Sequence, residues 1–292
     1  MRKIILLFSI LIISSFTYAK NMIITSIQPL YSICCYLTKG TDIKVYNSFD
    51  SDVSMTMTKE KLSDSQLKLK EAKQAQAVVD IRKVWDDDII FRKARNENIK
   101  IIEIDASDGF GEKDINLYLL NNKGGNINPF IWLDSKNLLK MANIIERDLA
   151  RTYPKNAKKL EKNLLMFSKE IFELKKDIEE KLQENDIGNI IVLTENLQYL
   201  INDLGIYSEY VDPKEIKEDN LDKIFENSGS KVIVSDRWLK KAVIKEIEKR
   251  DGKFVFIETL DVPIDKDGQM EPEAILSVYK DNYDKVSSIL KR

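Results

Sequence analysis

The chain of 292 residues contains no histidine. That excludes an imidazole base for a serine or cysteine nucleophile, and it removes the commonest nitrogen donor for metals. Cysteine is scarce as well: Cys34 and Cys35 are the two present, and they are adjacent. Neighbouring Cα atoms lie about 3.8 Å apart, closer than ordinary disulfide geometry permits. Two free thiols on a helix are expected, with a strained vicinal bridge as the other arrangement. Neither sign of charge dominates, with 46 Lys and Arg against 48 Asp and Glu and a net charge of −2. A general polyanion binder is thereby disfavoured, and no nucleic-acid partner is expected. Gly-x-Ser-x-Gly does not occur, and Ser107 to Glu112 lacks the glycine spacing of a dinucleotide or phosphate loop.

Long apolar runs are also missing. The longest, residues 4–16, follows Arg2 and Lys3 and precedes Thr17-Tyr18-Ala19. A membrane span needs roughly 20 apolar residues, so this reads as a cleaved secretory signal over residues 1–19. No cysteine follows the cleavage site, so a periplasmic protein without a lipid anchor is expected.

What the sequence does contain is 43% hydrophobic residues, enough for two modest lobes, each with its own core. Strands are expected at 22–27, 43–46, 77–81 and 100–104, then at 189–194, 207–211, 231–235 and 253–258. Several are continuous apolar runs, as strands covered on both faces should be. Helical patterns fall at 29–37, 59–75, 136–149, 196–204, 238–249 and 272–290. Alternating strands and helices predict an α/β protein with two parallel-sheet lobes. Between them Ala157, Leu160, Leu164, Phe167, Ile171, Leu174, Ile178 and Leu182 recur every three or four residues. This is one apolar face of a helix over 154–184, about 45 Å long, with Pro154 suited to its first turn. A coiled-coil pair would use the same seam. The flanking α/β units favour a helix packed along both lobes of one chain. The expected division is a signal at 1–19, an N-terminal lobe at 20–152, the linking helix at 153–185 and a C-terminal lobe at 186–292.

The segment Asn128-Pro129-Phe130-Ile131-Trp132-Leu133-Asp134 resembles the "D-P-H-x-W-L-D-P" stretch of the metal-binding receptors of zinc and manganese ABC importers. Tyr153-Pro154-Lys155-Asn156-Ala157 is similar to that family's "D-P-x-N-A". Thr25-Ser26-Ile27-Gln28-Pro29-Leu30-Tyr31 resembles its "T-S-x-x-P-L-Y" opening. The resemblance implies two α/β lobes on one stiff helix, a monomer, an ABC permease as partner and a divalent metal, zinc or manganese, as cargo. It implies no enzymatic activity.

The same resemblance assigns four ligand positions. Val53 to Glu60 matches an "H-x-Y-S-M-T-P-S" loop, which puts Ser54 at the first, and Phe130 stands at the second. Glu195, in Thr194-Glu195-Asn196 with Gly205 ten residues on, matches the third. Asp261, in Thr259-Leu260-Asp261-Val262-Pro263, matches the fourth, with Glu258 as its alternative. Read from residues alone, Glu195 is equally a helix N-terminal carboxylate and Asp261 a turn aspartate. Serine is a poor ligand and phenylalanine none. Two oxygens therefore remain, a set suited to weak binding of a hard cation or to no binding at all. A receptor whose metal site has decayed into an interaction surface is the alternative expectation. Trp85-Asp86-Asp87-Asp88 is expected to be a solvated helix start.

Overall fold

The computed structural model describes residues 21–49, 51–63, 70–109, 116–185 and 188–289. The expected signal, residues 1–19, lies outside the described residues. In the first half, strands β1 (Met22–Thr25), β2 (Lys44–Asn47), β3 (Ala77–Asp80) and β4 (Ile102–Asp105) form an entirely parallel sheet in the order β2-β1-β3-β4. In the second half, β5 (Ile190–Val192), β6 (Ser208–Tyr210), β7 (Val232–Ser235) and β8 (Lys253–Phe256) repeat the pattern as β6-β5-β7-β8. Central strands β1, β3 and β5 are buried at every residue, which explains their unbroken apolar sequences.

Helices α1 (Gln28–Leu37), α2 (Met55–Ser63), α3 (Ile90–Glu97) and α4 (Ser135–Thr152) belong to the first half. The linking helix α5 (Ala157–Glu184) follows a 3₁₀ turn at Pro154–Asn156. Then come α6 (Gln198–Leu204), α7 (Leu221–Ser228), α8 (Lys241–Lys249) and α9 (Ala274–Ser287), with a small hairpin of β9 (Asp265–Lys266) and β10 (Gln269–Met270). Two expectations shift. The helix anticipated at 59–75 begins earlier, at Met55, and is replaced by a 3₁₀ turn at Lys70–Lys73. That anticipated at 238–249 begins at Lys241, because Trp238 leaves the helix to stack on Phe256 with ring centroids 4.9 Å apart.

The apolar seam of α5 packs within the one chain. Leu160, Phe167, Ile171 and Ile178 are buried in a core that contains Ile23 and Trp132 as well as Ile190 and Val255. Its two polar members each fasten one half of the molecule. Asn163 donates Nδ2 to the carbonyls of Leu37 (2.7 Å) and Lys39 (2.9 Å), closing the end of α1. Lys175 reaches Asp203 near the end of α6, with Nζ 3.1 Å from Oδ2. Among the described residues no helix is long and apolar enough to cross a membrane.

Candidate functional site

Parallel α/β sheets present ligands at the carboxyl ends of their strands, where loops emerge toward a shared crevice. The first of the four positions, Ser54, lies between β2 and α2; its hydroxyl pairs with Thr56 Oγ1 at 3.1 Å. Glu195 follows β5 and opens a 3₁₀ turn, Glu195–Leu197, that leads into α6. The turn is capped by Thr194, whose side chain accepts from the Asn196 amide. Asp261 follows β8. Just before it, Leu260 is held in the left-handed region at φ 62°, a backbone state that a leucine rarely adopts.

Hydrogen bonds link the segments that carry these positions. The Met55 amide, next to Ser54, donates to the Asp261 carbonyl at 2.8 Å. Asn128 Nδ2 donates to the Glu195 carbonyl at 2.7 Å. Trp132 Nε1 donates to the Thr259 carbonyl at 2.8 Å, and Tyr279 returns a hydroxyl to the Trp132 carbonyl at 2.6 Å. Phe130 therefore sits on a segment tied at one end beside Glu195 and at the other beside Asp261. It is buried, with its ring centroid 5.2 Å from that of Trp132. An apolar plug stands where the resemblance implies an imidazole.

The acids around it are not alike. Glu195 Oε2 accepts from the Lys123 amide at 3.0 Å. The residue also borders a cavity of about 370 Å³ lined by Leu120, Gln198, Asn202 and Tyr210, with Lys123 Nζ over the Tyr210 ring. Burial and the neighbouring Asp236 raise the pKa of Asp261, while Arg237 and the Thr56 amide oppose the rise. Glu258 is raised by burial, and its Oε1 accepts from the Leu260 amide at 2.9 Å. That bond turns Glu258 toward its own loop, so it is the weaker candidate of the two.

Sequence reasoning missed Asp236, which follows β7 and so lies between the strands that carry Glu195 and Asp261. Asn196 Nδ2 donates to its Oδ2 at 2.7 Å. The signal was present in Val232-Ile233-Val234-Ser235-Asp236, an acid directly after an apolar strand. Glu195 Oε1, Asp236 Oδ1 and Asp261 Oδ1 are each buried without a hydrogen-bond partner. Such orphaned oxygens are costly unless something else satisfies them. Among the described residues, no group of three or more carboxylates or thiols is arranged to hold a metal ion as it stands.

The solvated reading of Trp85-Asp86-Asp87-Asp88 does not hold at its last residue. Asp88 is fully buried and accepts the Ser26 hydroxyl at 2.9 Å. Cys34 and Cys35 are free thiols on α1, the first buried.

Residues 23–288 match the family described as zinc-uptake complex component A, periplasmic. No curated protein matches the sequence. Among solved structures, the manganese complex of the solute-binding protein FpvC from Pseudomonas aeruginosa aligns with a TM-score of 0.69 at 18% identity, covering 93% of this chain and 98% of that one. The metal-dependent lipoprotein YcdH from Bacillus subtilis aligns with a TM-score of 0.71 at 17% identity, covering 93% and 99%. The zinc-bound ZnuA-like domain of Streptococcus pneumoniae AdcA gives 0.69 at 16%, covering 94% and 100%. At these identities the likeness concerns the fold: two parallel-sheet lobes joined by one long helix.

Proposed function

Because this chain belongs to the family of periplasmic zinc-uptake component A proteins, the metal-binding solute receptors of ABC import systems, we propose that it carries a hard divalent cation on oxygen donors alone. The observation that supports this reading is the trio of buried, unpartnered carboxylate oxygens on Glu195, Asp236 and Asp261. Glu195 and Asp261 are the ligands, and Asp236 is the third carboxylate within reach of both loops. An all-oxygen set suits manganese better than zinc, which prefers nitrogen and sulfur. Ser54 and Phe130 contribute little or nothing. Binding is weak, because the acids must be drawn together and water must complete the coordination shell. Export through residues 1–19, delivery to a permease and the division into lobes at 20–152 and 186–292 about the 153–185 helix belong to the same proposal.

The test is thermal unfolding of the purified chain with manganese, magnesium, calcium and zinc. A cation at about 100 times its dissociation constant adds about 2.7 kcal/mol. Manganese is expected to give the largest rise in Tm, and Glu195→Ala or Asp261→Ala is expected to abolish it. No rise with any of the four at millimolar concentration would sink the proposal and leave a scaffold that works through surface contacts.

Asp261→Asn separates stability from binding. The variant removes a carboxylate that burial and Asp236 already disfavour as a charge. Without metal it is expected to unfold at a higher temperature than the parent at pH 8. It should also lose the manganese response. A lower Tm at pH 8 would show that the ionised carboxylate is satisfied after all.

A further inference from the structure

The carboxyl end of the first sheet holds a second set of acids, away from the cleft positions. Asp80 and Asp105 are the last residues of β3 and β4 and stand opposite each other in the parallel register. Asp80 and Asp88 are fully buried, and Asp105 is nearly so. Asp88 is well supplied: Ser26 Oγ lies 2.9 and 3.1 Å from its two oxygens, and the Ile81 amide donates at 3.2 Å. Asp105 accepts from the amides of Lys83 (2.8 Å) and Ser107 (2.9 Å) and from the Ser107 hydroxyl at 2.5 Å. Asp80 differs from both. Neither of its carboxyl oxygens has a hydrogen-bond partner, although the Arg82 amide leans toward it.

The nearby cations are engaged elsewhere. Arg82 Nε bonds Glu103 Oε1 at 2.6 Å, Lys83 Nζ bonds Asp108 Oδ1 at 2.8 Å and Lys59 Nζ bonds Asp87 Oδ1 at 2.6 Å. Glu103, on β4, adds a further negative charge facing Asp80. Three buried carboxylates without a dedicated cation cannot all ionise cheaply, and no metal-holding arrangement exists among the described residues. A proton resolves the conflict, since it turns a repelling oxygen into a donor.

We propose that Asp80, Asp88 and Asp105 form a proton-operated clasp that seats the 81–89 loop against the β1–α1 turn, and that the clasp loosens as pH rises. This loop supplies Val84, Trp85 and Asp86 to a cavity of about 590 Å³ whose other wall is Asn122 to Pro129, the approach to Phe130. The clasp is thus placed to alter one wall of this cavity, whatever Glu195 and Asp261 bind.

Burial raises all three acids, with the neighbouring carboxylates adding to the rise: Asp88 is pushed up to about 7 and Asp80 stands well above the usual carboxylate range. A raised carboxyl is protonated in the folded chain while its unfolded counterpart, near 3.9, is already ionised. Folding stability is therefore fully present below about pH 4 and falls as pH rises through the folded values. Each proton held lowers the folding equilibrium constant about tenfold per pH unit across that window. The chain has no histidine to add an imidazole titration between pH 5 and 8.

The experiment is urea unfolding of the untagged full chain from pH 5 to 8.5, for the parent, Asp80→Asn and, as an exposed control remote from both acid sets, Asp222→Asn. The parent is expected to lose stability as pH rises. Asp80→Asn should remove most of that slope and be the more stable protein at pH 8, while Asp222→Asn keeps it. An equal slope in the parent and Asp80→Asn would overturn the clasp. So would a calcium- or manganese-dependent restoration at pH 8 that Asp80→Asn abolishes, since a cation would then be the neutralising partner. Carboxyl carbon NMR of the aspartate-labelled parent decides the matter even if the variant does not fold. With the resonances assigned, Asp80 or Asp88 still protonated at pH 6 supports the clasp, and complete ionisation of both by pH 5 refutes it.

Discussion

Replacing Lys175 with methionine is expected to lower the free energy of unfolding by about 3–5 kcal/mol, the usual cost of removing one member of a buried ion pair. Lys175 projects from the middle of the linking helix with its side chain 11% exposed, and its partner Asp203 is 2% exposed. The ammonium group also donates to the Asp203 carbonyl. Asp203 accepts the Ser135 hydroxyl at 3.0 Å at the start of α4, and the Tyr283 hydroxyl lies 3.4 Å away on α9. One carboxylate thus gathers α4, α5, α6 and α9, elements from both halves of the chain. Without the lysine, a buried negative charge is left with neutral donors alone, and Tm should fall on the order of 10 °C. Lys175→Met combined with Asp203→Asn should recover part of the loss, because the stranded charge disappears while the amide still serves Ser135. Chemical denaturation of both variants measures this. If the double variant is no more stable than the single, uncompensated charge is not the reason for the loss.

This latch could not be read in advance, although the helix that carries it could. The α5 seam announces itself through apolar residues at every third or fourth place, and such periodicity has few alternative explanations once flanking strands are recognised. Central strands β1, β3 and β5 were equally plain, because burial on both faces demands an unbroken apolar run. Short amphipathic helices were harder. Leu221, Ile224, Phe225 and Ser228 line the buried side of α7, yet eight residues offer too few turns to stand out from the polar chain around them. The ends of helices depend on tertiary partners, as Trp238 shows by stacking on β8 instead of continuing α8.

The site divides along the same line. Phe130 is matched to its position through its neighbours Trp132, Leu133 and Asp134, whose spacing fixes the register of the resemblance. Asp236 was passed over and Asp88 misjudged because what matters about them is a distant partner. Asp88 looked like one of three solvated acids until Ser26, 62 positions earlier, was found donating to it. Asp236 acquires its interest only when β5, β7 and β8 are laid side by side. Local sequence shows what a residue is made of; long-range strand order shows what it faces.

The two missing nitrogen donors yield the second large effect. Ser54→His together with Phe130→His is expected to raise zinc affinity by well over 100-fold, more than the 10- to 100-fold typical of disturbing a supporting group around an intact site. Tetrahedral zinc takes three or four protein ligands, and the double variant would offer two imidazoles beside Glu195 and Asp261. Connectivity favours the outcome. The Met55 amide holds the Ser54 loop against Asp261, and bonds from Asn128 and Trp132 hold the Phe130 segment between the two acids. The cost falls on the metal-free protein, because an imidazole packs less well than a phenyl ring beside Trp132, 5.2 Å away between centroids. The variant should therefore unfold at a lower temperature than the parent without zinc and at a higher one with it. Competition against a chelator of known affinity gives the gain and should show one zinc per chain. Phe130→His alone should supply a smaller part of the gain, since Trp132 fixes its place, whereas Ser54→His depends on a loop matched by Met57 and Thr58. If the single Phe130 variant gains and the double gains nothing further, the first ligand position lies a residue or two from Ser54. If neither gains, the crevice does not bring residue 130 to the acids, and the oxygen-only cation site loses its geometric basis too.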